Sequence, residues 1–120
     1  MSSTVASNAS KKDQVDAIDQ RIGALAKTTP KVFGAYGQLV QSVMKTGALD
    51  DKTKELMAVA ISVSVRCEDC ILYHTRAAIK LGASEAEYVE SLGVAIELGG
   101  GPSVVYGARA LEAFKALSKE

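Results

Sequence analysis

The segment VRCEDCILYHTRAAIKLG, residues 65–82, points to a helical fold and carries the candidate chemistry of this 120-residue chain. Cys67 and Cys70 stand three residues apart, and His74 follows four residues after the second cysteine. At about 100° per residue, a helix places these three side chains within about 60° of arc on one face. Apolar residues occupy the same face, which predicts an amphipathic helix with a buried or half-buried dithiol. These residues are Ile71, Ala78 and Leu81.

Two amphipathic helices are predicted before this segment, at residues 11–28 and about 31–46, because apolar residues recur there at steps of three and four. Pro30 separates the two helices, and Gly47 is expected to end the second one as its C-terminal cap. Each helix should turn its apolar stripe inward. The stripes are Val15, Ile18, Ile22 and Leu25 in the first helix, and Phe33, Tyr36, Val40, Val43 and Met44 in the second.

Capping residues mark the remaining helices. Asp50 or Asp51 can cap a third helix, which should reach the start of the cysteine segment. Ser84, followed three residues later by Glu87, forms a capping box for a fifth helix. Pro102 follows a glycine run and suits the first turn of a sixth helix. The expected fold is therefore all-α, a compact bundle of about six helices.

Length and charge narrow the domain organisation and the function classes. A chain of this size builds one core, so residues 11–120 are expected to form a single helical domain behind a disordered tail at residues 1–10. Fourteen Lys plus Arg balance fourteen Asp plus Glu without a basic block, which argues against a nucleic-acid partner. No secretory signal or membrane-spanning run is evident, so a cytoplasmic protein without a membrane partner is expected.

An offset of 35 residues aligns two stretches of the chain. The first is GALDDKTKELMAVAISV, starting at Gly47, and the second is GASEAEYVESLGVAIEL, starting at Gly82. A duplicated helical unit explains the match, and so does chance similarity between helices of like composition. Two copies are too few for a stacked solenoid, so a true duplication would predict a compact bundle.

The two cysteines of a chain in a reducing compartment indicate catalysis, redox sensing or metal binding. A thiolate is the reactive form, and the free N–H groups of a helix N-terminus favour that negative charge. His74 can also take a proton from Cys70, one turn away. Glu68 and Asp69 act in the opposite direction, because carboxylates between the cysteines repel a thiolate. The sequence leaves open whether these groups together lower or raise the pKa of the thiols.

Glu55 lies at the edge of the apolar stripe of the third helix, one turn before Val59. On local evidence it is either an ordinary solvated or capping carboxylate or a member of the site. Zinc binding by Cys67, Cys70, His74 and Glu55 is an alternative to thiol chemistry. Structural zinc sites usually draw their ligands from two separated pairs, and the chain has no second Cys or His pair. We therefore expect no metal.

Spacing links these residues to a known family. Glu55, eleven residues, Cys67, two residues, Cys70, three residues, His74 and then a helix-ending glycine resemble the core of the alkylhydroperoxidase D-like, carboxymuconolactone decarboxylase superfamily. The resemblance covers roughly residues 50–102. It implies an all-α bundle that assembles into a homotrimer or homohexamer.

The resemblance also implies roles for the site residues. Cys70 corresponds to the thiol that attacks a peroxide or exchanges a disulfide, and Cys67 to its resolving partner. Glu55 and His74 correspond to a proton relay that activates the pair. The best-studied peroxidase members carry a histidine immediately before the later cysteine, where this chain has Asp69.

The implied function is a thiol-dependent oxidoreductase without a cofactor, either an alkylhydroperoxidase-like peroxidase or a disulfide reductase. Its substrate would be a hydroperoxide or a disulfide, and its partner a dithiol reductant or a small redox protein. True decarboxylases of the superfamily lack the cysteine pair, so the retained dithiol favours redox work. The alternatives are a lyase or isomerase that uses His74 and Glu55 as acid and base, and a redox-sensing or zinc-binding module.

Overall fold

The computed structural model describes residues 9–119, and six α-helices with no β-strand make up the fold of that part of the chain. The all-α prediction is therefore confirmed. The predicted tail, residues 1–10, lies outside the described residues except for its last two positions. The helices are α1 (Lys11–Thr28), α2 (Pro30–Met44), α3 (Asp51–Ser64), α4 (Glu68–Lys80), α5 (Glu85–Gly99) and α6 (Gly101–Leu117).

Side-chain caps start the helices that carry and surround the cysteine segment. Asp50 caps α3, because its carboxylate accepts a hydrogen bond from the backbone N–H of Thr53 at 2.8 Å. The capping box of α5 is present as predicted, with the Ser84 hydroxyl and the Glu87 carboxylate each accepting from the backbone N–H of the other residue. These contacts satisfy N–H groups that a helix start leaves without partners.

The main core lies between α3, α4, α5 and α6, and a smaller apolar cluster seats the first half of α1 against α4 and α6. Aliphatic side chains and alanine dominate, which lets the helices pack closely. The main cluster contains Leu56, Val59, Val63, Ile71, Ala78, Ala83, Tyr88, Leu92, Ala95, Ala110 and Phe114. The smaller one contains Val15, Ile18, Leu72, Ala113 and Leu117.

Tyr88 connects three helices inside the core through hydrogen bonds of its hydroxyl group. Its hydroxyl donates to the backbone carbonyl of Ala110 at 2.9 Å, so the Thr75 hydroxyl, 2.7 Å away, donates to the tyrosine oxygen. Burial raises the pKa of Tyr88 to about 12, which keeps the phenol protonated and able to donate. The hydrogen bond between Thr75 and Tyr88 anchors α4 immediately beside the site, because Thr75 directly follows His74.

Replacing Tyr88 with phenylalanine should lower the free energy of unfolding by about 1–3 kcal/mol, because it leaves buried polar groups without a partner. Urea denaturation measures the change. Tyr73→Phe is the matched control, since Tyr73 is 40% exposed and its loss should change stability by less than about 0.5 kcal/mol. Equal effects of the two substitutions would contradict the structural role given to Tyr88.

The inward-facing stripe predicted for α2 is wrong, and so is its predicted end at Gly47. The helix ends at Met44 with Lys45 as its C-cap, and it contains no buried residue. Residues of the α1 and α2 stripes lie open because the buried clusters draw on the first half of α1 and on the later helices, and not on the end of α1 or on α2. The exposed fractions are 45% for Ile22, 57% for Leu25, 58% for Tyr36, 39% for Val40 and 52% for Val43.

The C-terminal end of α2 is nonetheless held against the body of the protein. The Lys54 ammonium group donates hydrogen bonds to the backbone carbonyls of Val43 and Lys45, both at 2.8 Å. These carbonyls belong to the last turn and the cap of α2, where helix oxygens lack partners within the helix. Lys54 therefore fixes the end of a helix whose apolar stripe faces solvent.

Both stretches of the 35-residue alignment form capped helices, α3 and α5. Lys52 and Glu87 occupy equivalent positions in the alignment and pair across the two helices at 2.9 Å. None of the helices found within residues 9–119 has the length and apolar character needed to cross a membrane.

Candidate active site

A tight turn between α3 and α4 sets the position of Cys67. The backbone N–H of Arg66 bonds to the carbonyl of Val63, and the N–H of Cys67 bonds to the carbonyl of Ser62, both at 3.1 Å. This is the Schellman arrangement, which ends a helix with one residue of positive φ. That residue is Arg66, at φ +58°, in a conformation that costs a side-chain-bearing residue about 1–2 kcal/mol.

The end of α4 repeats the same pair of hydrogen bonds around Gly82, at φ +88°. Glycine adopts this conformation without a steric penalty, so the α4 turn is relaxed where the α3 turn is strained. Backbone strain of this kind tends to occur at functional sites. In this chain it lies immediately before the first cysteine.

Cys67 is the N-cap of α4, and Cys70 lies in the first turn of that helix. The two residues are joined by a disulfide with their Cα atoms 5.2 Å apart. The sulfur of Cys67 also accepts a hydrogen bond from the backbone N–H of Cys70 at 3.2 Å. Both residues are half-buried. The sulfur atoms thus lie where helix N–H groups stabilise negative charge on a reduced cysteine.

His74 and Glu55 meet across α4 and α3. Nδ1 of the imidazole lies 2.7 Å from Oε1 of the carboxylate. The His74 side chain is 29% exposed and that of Glu55 is 13% exposed, so the pair is partly shielded from water. An ionised carboxylate only accepts hydrogen bonds, so Nδ1 carries the hydrogen and Nε2 remains free to take a proton. The tertiary structure thus brings together two residues that the sequence places 19 positions apart.

The two carboxylates between the cysteines are both bound by arginines from other helices. Nη2 of Arg21, in α1, lies 2.9 Å from Oδ2 of Asp69. Nη1 of Arg109, in α6, lies 2.5 Å from Oε2 of Glu68. No local sequence pattern reveals either arginine, since they are 48 and 41 residues away from their partners and belong to no local motif.

A second ion pair joins α1 to α4 two residues beyond the histidine. The Arg76 guanidinium makes two hydrogen bonds to the Asp19 carboxylate, at 2.7 and 2.9 Å, and lies over the Tyr73 ring. Hydrogen bonding to Arg76 lowers the pKa of Asp19, so the pair is ionised at neutral pH. The Tyr73 ring in turn meets the His74 ring edge to face, with centroids 5.4 Å apart. The Tyr73 ring, with Arg76 over it, thus packs against one side of the imidazole.

Metal binding has no geometric support in the part of the chain that the structure describes. No group of three or more His, Cys, Asp or Glu side chains in residues 9–119 is placed to hold a metal ion.

A helical bundle in which a Cys-x-x-Cys disulfide opens one helix beside a Glu–His pair defines a class of small all-α proteins with a candidate redox site. The carboxymuconolactone decarboxylase family model matches residues 30–113. The chain belongs to the carboxymuconolactone decarboxylase family. This result confirms the superfamily resemblance found in the sequence.

Two relatives match this chain along most of its length. An uncharacterised protein of Cupriavidus necator is 36% identical over 107 residues, which span 89% of this chain and 95% of the relative. An uncharacterised protein of Haemophilus influenzae is 42% identical over 103 residues, or 86% of this chain and 91% of the relative. Both relatives are uncharacterised, so they specify no reaction.

Solved structures of the same family share the fold. The apo form of a carboxymuconolactone decarboxylase family protein from Legionella pneumophila has a TM-score of 0.87 and 40% identity, covering 90% of this chain and 96% of its own. A family protein from Thermotoga maritima has a TM-score of 0.79 and 29% identity, covering 88% and 91%. A part in the antioxidative response has been suggested for the Thermotoga protein.

Proposed function

We propose that this protein is a thiol-dependent oxidoreductase that reduces hydroperoxides, or a related disulfide substrate, through Cys67 and Cys70. The observation that carries the proposal is the position of the cysteine pair at the start of α4, one turn before a histidine that is hydrogen-bonded to Glu55. A nucleophile, a base and a residue that orients the base are the parts that nucleophilic catalysis needs. The suggested antioxidative part of the Thermotoga relative agrees with this chemistry.

In the proposed reaction, His74 takes the proton of Cys70, and the thiolate attacks the terminal oxygen of a hydroperoxide. A sulfur–oxygen bond forms as the oxygen–oxygen bond breaks, and the alkoxide leaves as an alcohol with the proton from His74. The Cys67 thiol then attacks the Cys70 sulfenic acid, which forms the disulfide and releases water. A dithiol reductant or small redox protein supplies two electrons by thiol–disulfide exchange and restores both thiols. The cycle needs a reducing compartment, and we propose the cytoplasm.

Thiol titration of the reduced protein tests this proposal directly. One equivalent of an alkyl hydroperoxide should consume both thiols and yield one alcohol and an intramolecular Cys67–Cys70 disulfide, detected by mass spectrometry. A variant with both cysteines replaced by serine should leave the peroxide intact. Thiols that persist through prolonged incubation would overturn the peroxidase reaction. Turnover of a carboxylated lactone by the cysteine-free variant would instead support a lyase or isomerase.

We further propose that the protein forms a homotrimer or homohexamer through α2. The helix carries an exposed apolar stripe and only one charged residue, Lys31. The stripe follows the four-three-four spacing with which helices pack against each other in coiled coils. A contiguous stripe of this kind on a small protein marks an interaction surface. Its residues are Val32, Tyr36, Leu39 and Val43, which are 63%, 58%, 57% and 52% exposed in the single chain.

Leu39→Glu should dissociate the oligomer into monomers, because it places a charge in the apolar stripe of α2. Sedimentation equilibrium measures the mass. Gln38→Glu is the matched control, since it adds the same charge one residue away on a different face of the same helix. A wild-type monomer, or equal dissociation by both variants, would contradict assembly through this stripe.

A further inference from the structure

The Cys-x-x-Cys segment contains an electrostatic conflict that the proposed function does not resolve. Glu68 and Asp69 are the only residues between the two cysteines, and both are acidic. They favour the start of α4, where negative charge complements the helix dipole. Because they stand next to the cysteines in the sequence, their negative charges also oppose formation of a thiolate on Cys67 or Cys70. A redox cycle that begins with a thiolate needs this repulsion to be reduced.

We propose that Arg21 and Arg109 are positioning residues for the dithiol, which act by binding Asp69 and Glu68 and cancelling their charge at the site. The inference rests on the proposed thiol function. It assigns a role to two residues that lie outside the motif and come from helices at opposite ends of the sequence.

The two contacts are direct and specific. Arg21 reaches Asp69 at 2.9 Å from α1, and Arg109 reaches Glu68 at 2.5 Å from α6. The Arg109 guanidinium also lies over the ring of Tyr106, 5.5 Å from its centre, which restricts the positions that the side chain can adopt. Each carboxylate of the motif thus has its own arginine, and the two arginines approach from different helices.

A contribution to folding stability does not account for the position of these two ion pairs. All four side chains are more than half exposed, at 61% and 57% for Arg21 and Asp69, and 53% and 57% for Arg109 and Glu68. Ion pairs exposed to this extent contribute little to folding, because water and salt screen them. Their location matters more, since both lie at the first turn of the helix that carries the thiols.

Among the described residues, the other charged groups near this end of the structure do not pair with Glu68 or Asp69. Glu55 of α3 is bound to His74 of α4, and Asp19 of α1 is bound to Arg76 of α4. Arg66 lies in the turn before Cys67. With Arg21 and Arg109 in place, the two motif carboxylates are each neutralised. Without them, two uncompensated negative charges lie beside the thiols.

The expected effect is a change in thiol acidity. A charge several ångströms from a thiolate, in surroundings partly open to water, shifts the thiol pKa by about half a unit. Arg21→Met and Arg109→Met should each raise the lower thiol pKa of the reduced protein by about that amount. The thiolate fraction near neutral pH should then fall roughly threefold. Both shifts should shrink at high ionic strength.

The measurement is the pH midpoint of thiolate formation, followed by ultraviolet absorbance of the reduced, full-length protein. It needs no substrate, so it gives a result even where the protein fails to consume peroxide, and failure of the proposed function stays distinguishable. Lys52→Met is the matched control. It removes another exposed interhelical ion pair, with Glu87, at the opposite end of α3 from the cysteines.

Two charge-balanced variants separate electrostatics from packing. Arg21→Met with Asp69→Asn, and Arg109→Met with Glu68→Gln, remove each pair without changing the net charge. Their thiol pKa should return to the wild-type value or fall below it, and Arg109→Lys should retain the wild-type value. The proposal is overturned if the single variants match Lys52→Met, or if the balanced variants raise the pKa as much as the single ones.

Discussion

Replacing Cys70 with serine should abolish peroxide-driven oxidation of the remaining thiol, whereas replacing Cys67 with serine should allow the attack and stop at a sulfenic acid. Cys70 lies one helical turn before His74, so it is the cysteine that the base can serve. Without Cys67 no disulfide can form within the chain, and the oxidised sulfur accumulates. Trapping with a sulfenic-acid reagent, followed by mass spectrometry, distinguishes the two variants.

Attack by Cys67 in place of Cys70 is the competing outcome, and the structure offers a basis for it. Cys67 is the N-cap of α4, and its sulfur accepts the backbone N–H of Cys70 at 3.2 Å, a contact that favours a thiolate on Cys67. A sulfenic acid trapped in Cys70→Ser, with none in Cys67→Ser, would therefore assign the attack to Cys67 and contradict the roles proposed above. The serine variants preserve side-chain size closely enough that the comparison tests chemistry and not packing.

His74→Asn should slow peroxide-driven thiol oxidation by about 100-fold at neutral pH, because it removes the base proposed to accept the thiol proton. The deficit should shrink as the pH rises above the thiol pKa, since the thiolate then forms without help. Glu55→Gln should cause a smaller loss, about tenfold, because the carboxylate acts through the orientation of the imidazole. The rate of thiol loss, measured against pH, checks both expectations.

Glu90→Gln is the control for Glu55→Gln, since Glu90 is the equivalent position in the 35-residue alignment and is exposed. It should leave the rate unchanged. The double variant Glu55→Gln/His74→Asn should be no slower than His74→Asn alone, because the proposed relay uses the two residues as one unit. Multiplying losses, or a His74→Asn deficit that is the same at every pH, would contradict the proton relay.

Local patterns predicted the helices that have strong capping residues and a stripe that meets the core. Asp50 and the Ser84–Glu87 box fixed the starts of α3 and α5, because a side chain a few residues away supplies the hydrogen bond. The prediction for α2 was wrong about the direction in which its apolar stripe faces. Periodicity identifies an amphipathic helix but does not tell whether its apolar face meets the same chain or another one.

The sequence by itself determined the helical class, the family and the close spacing of Cys67, Cys70 and His74, because residues three and four apart on a helix are neighbours regardless of the rest of the fold. Only the tertiary structure decided what surrounds them. It brought Glu55 to His74 and the arginines to the motif carboxylates, over separations of 19 to 48 residues. Such contacts depend on how whole helices pack, and no periodicity within one helix encodes them.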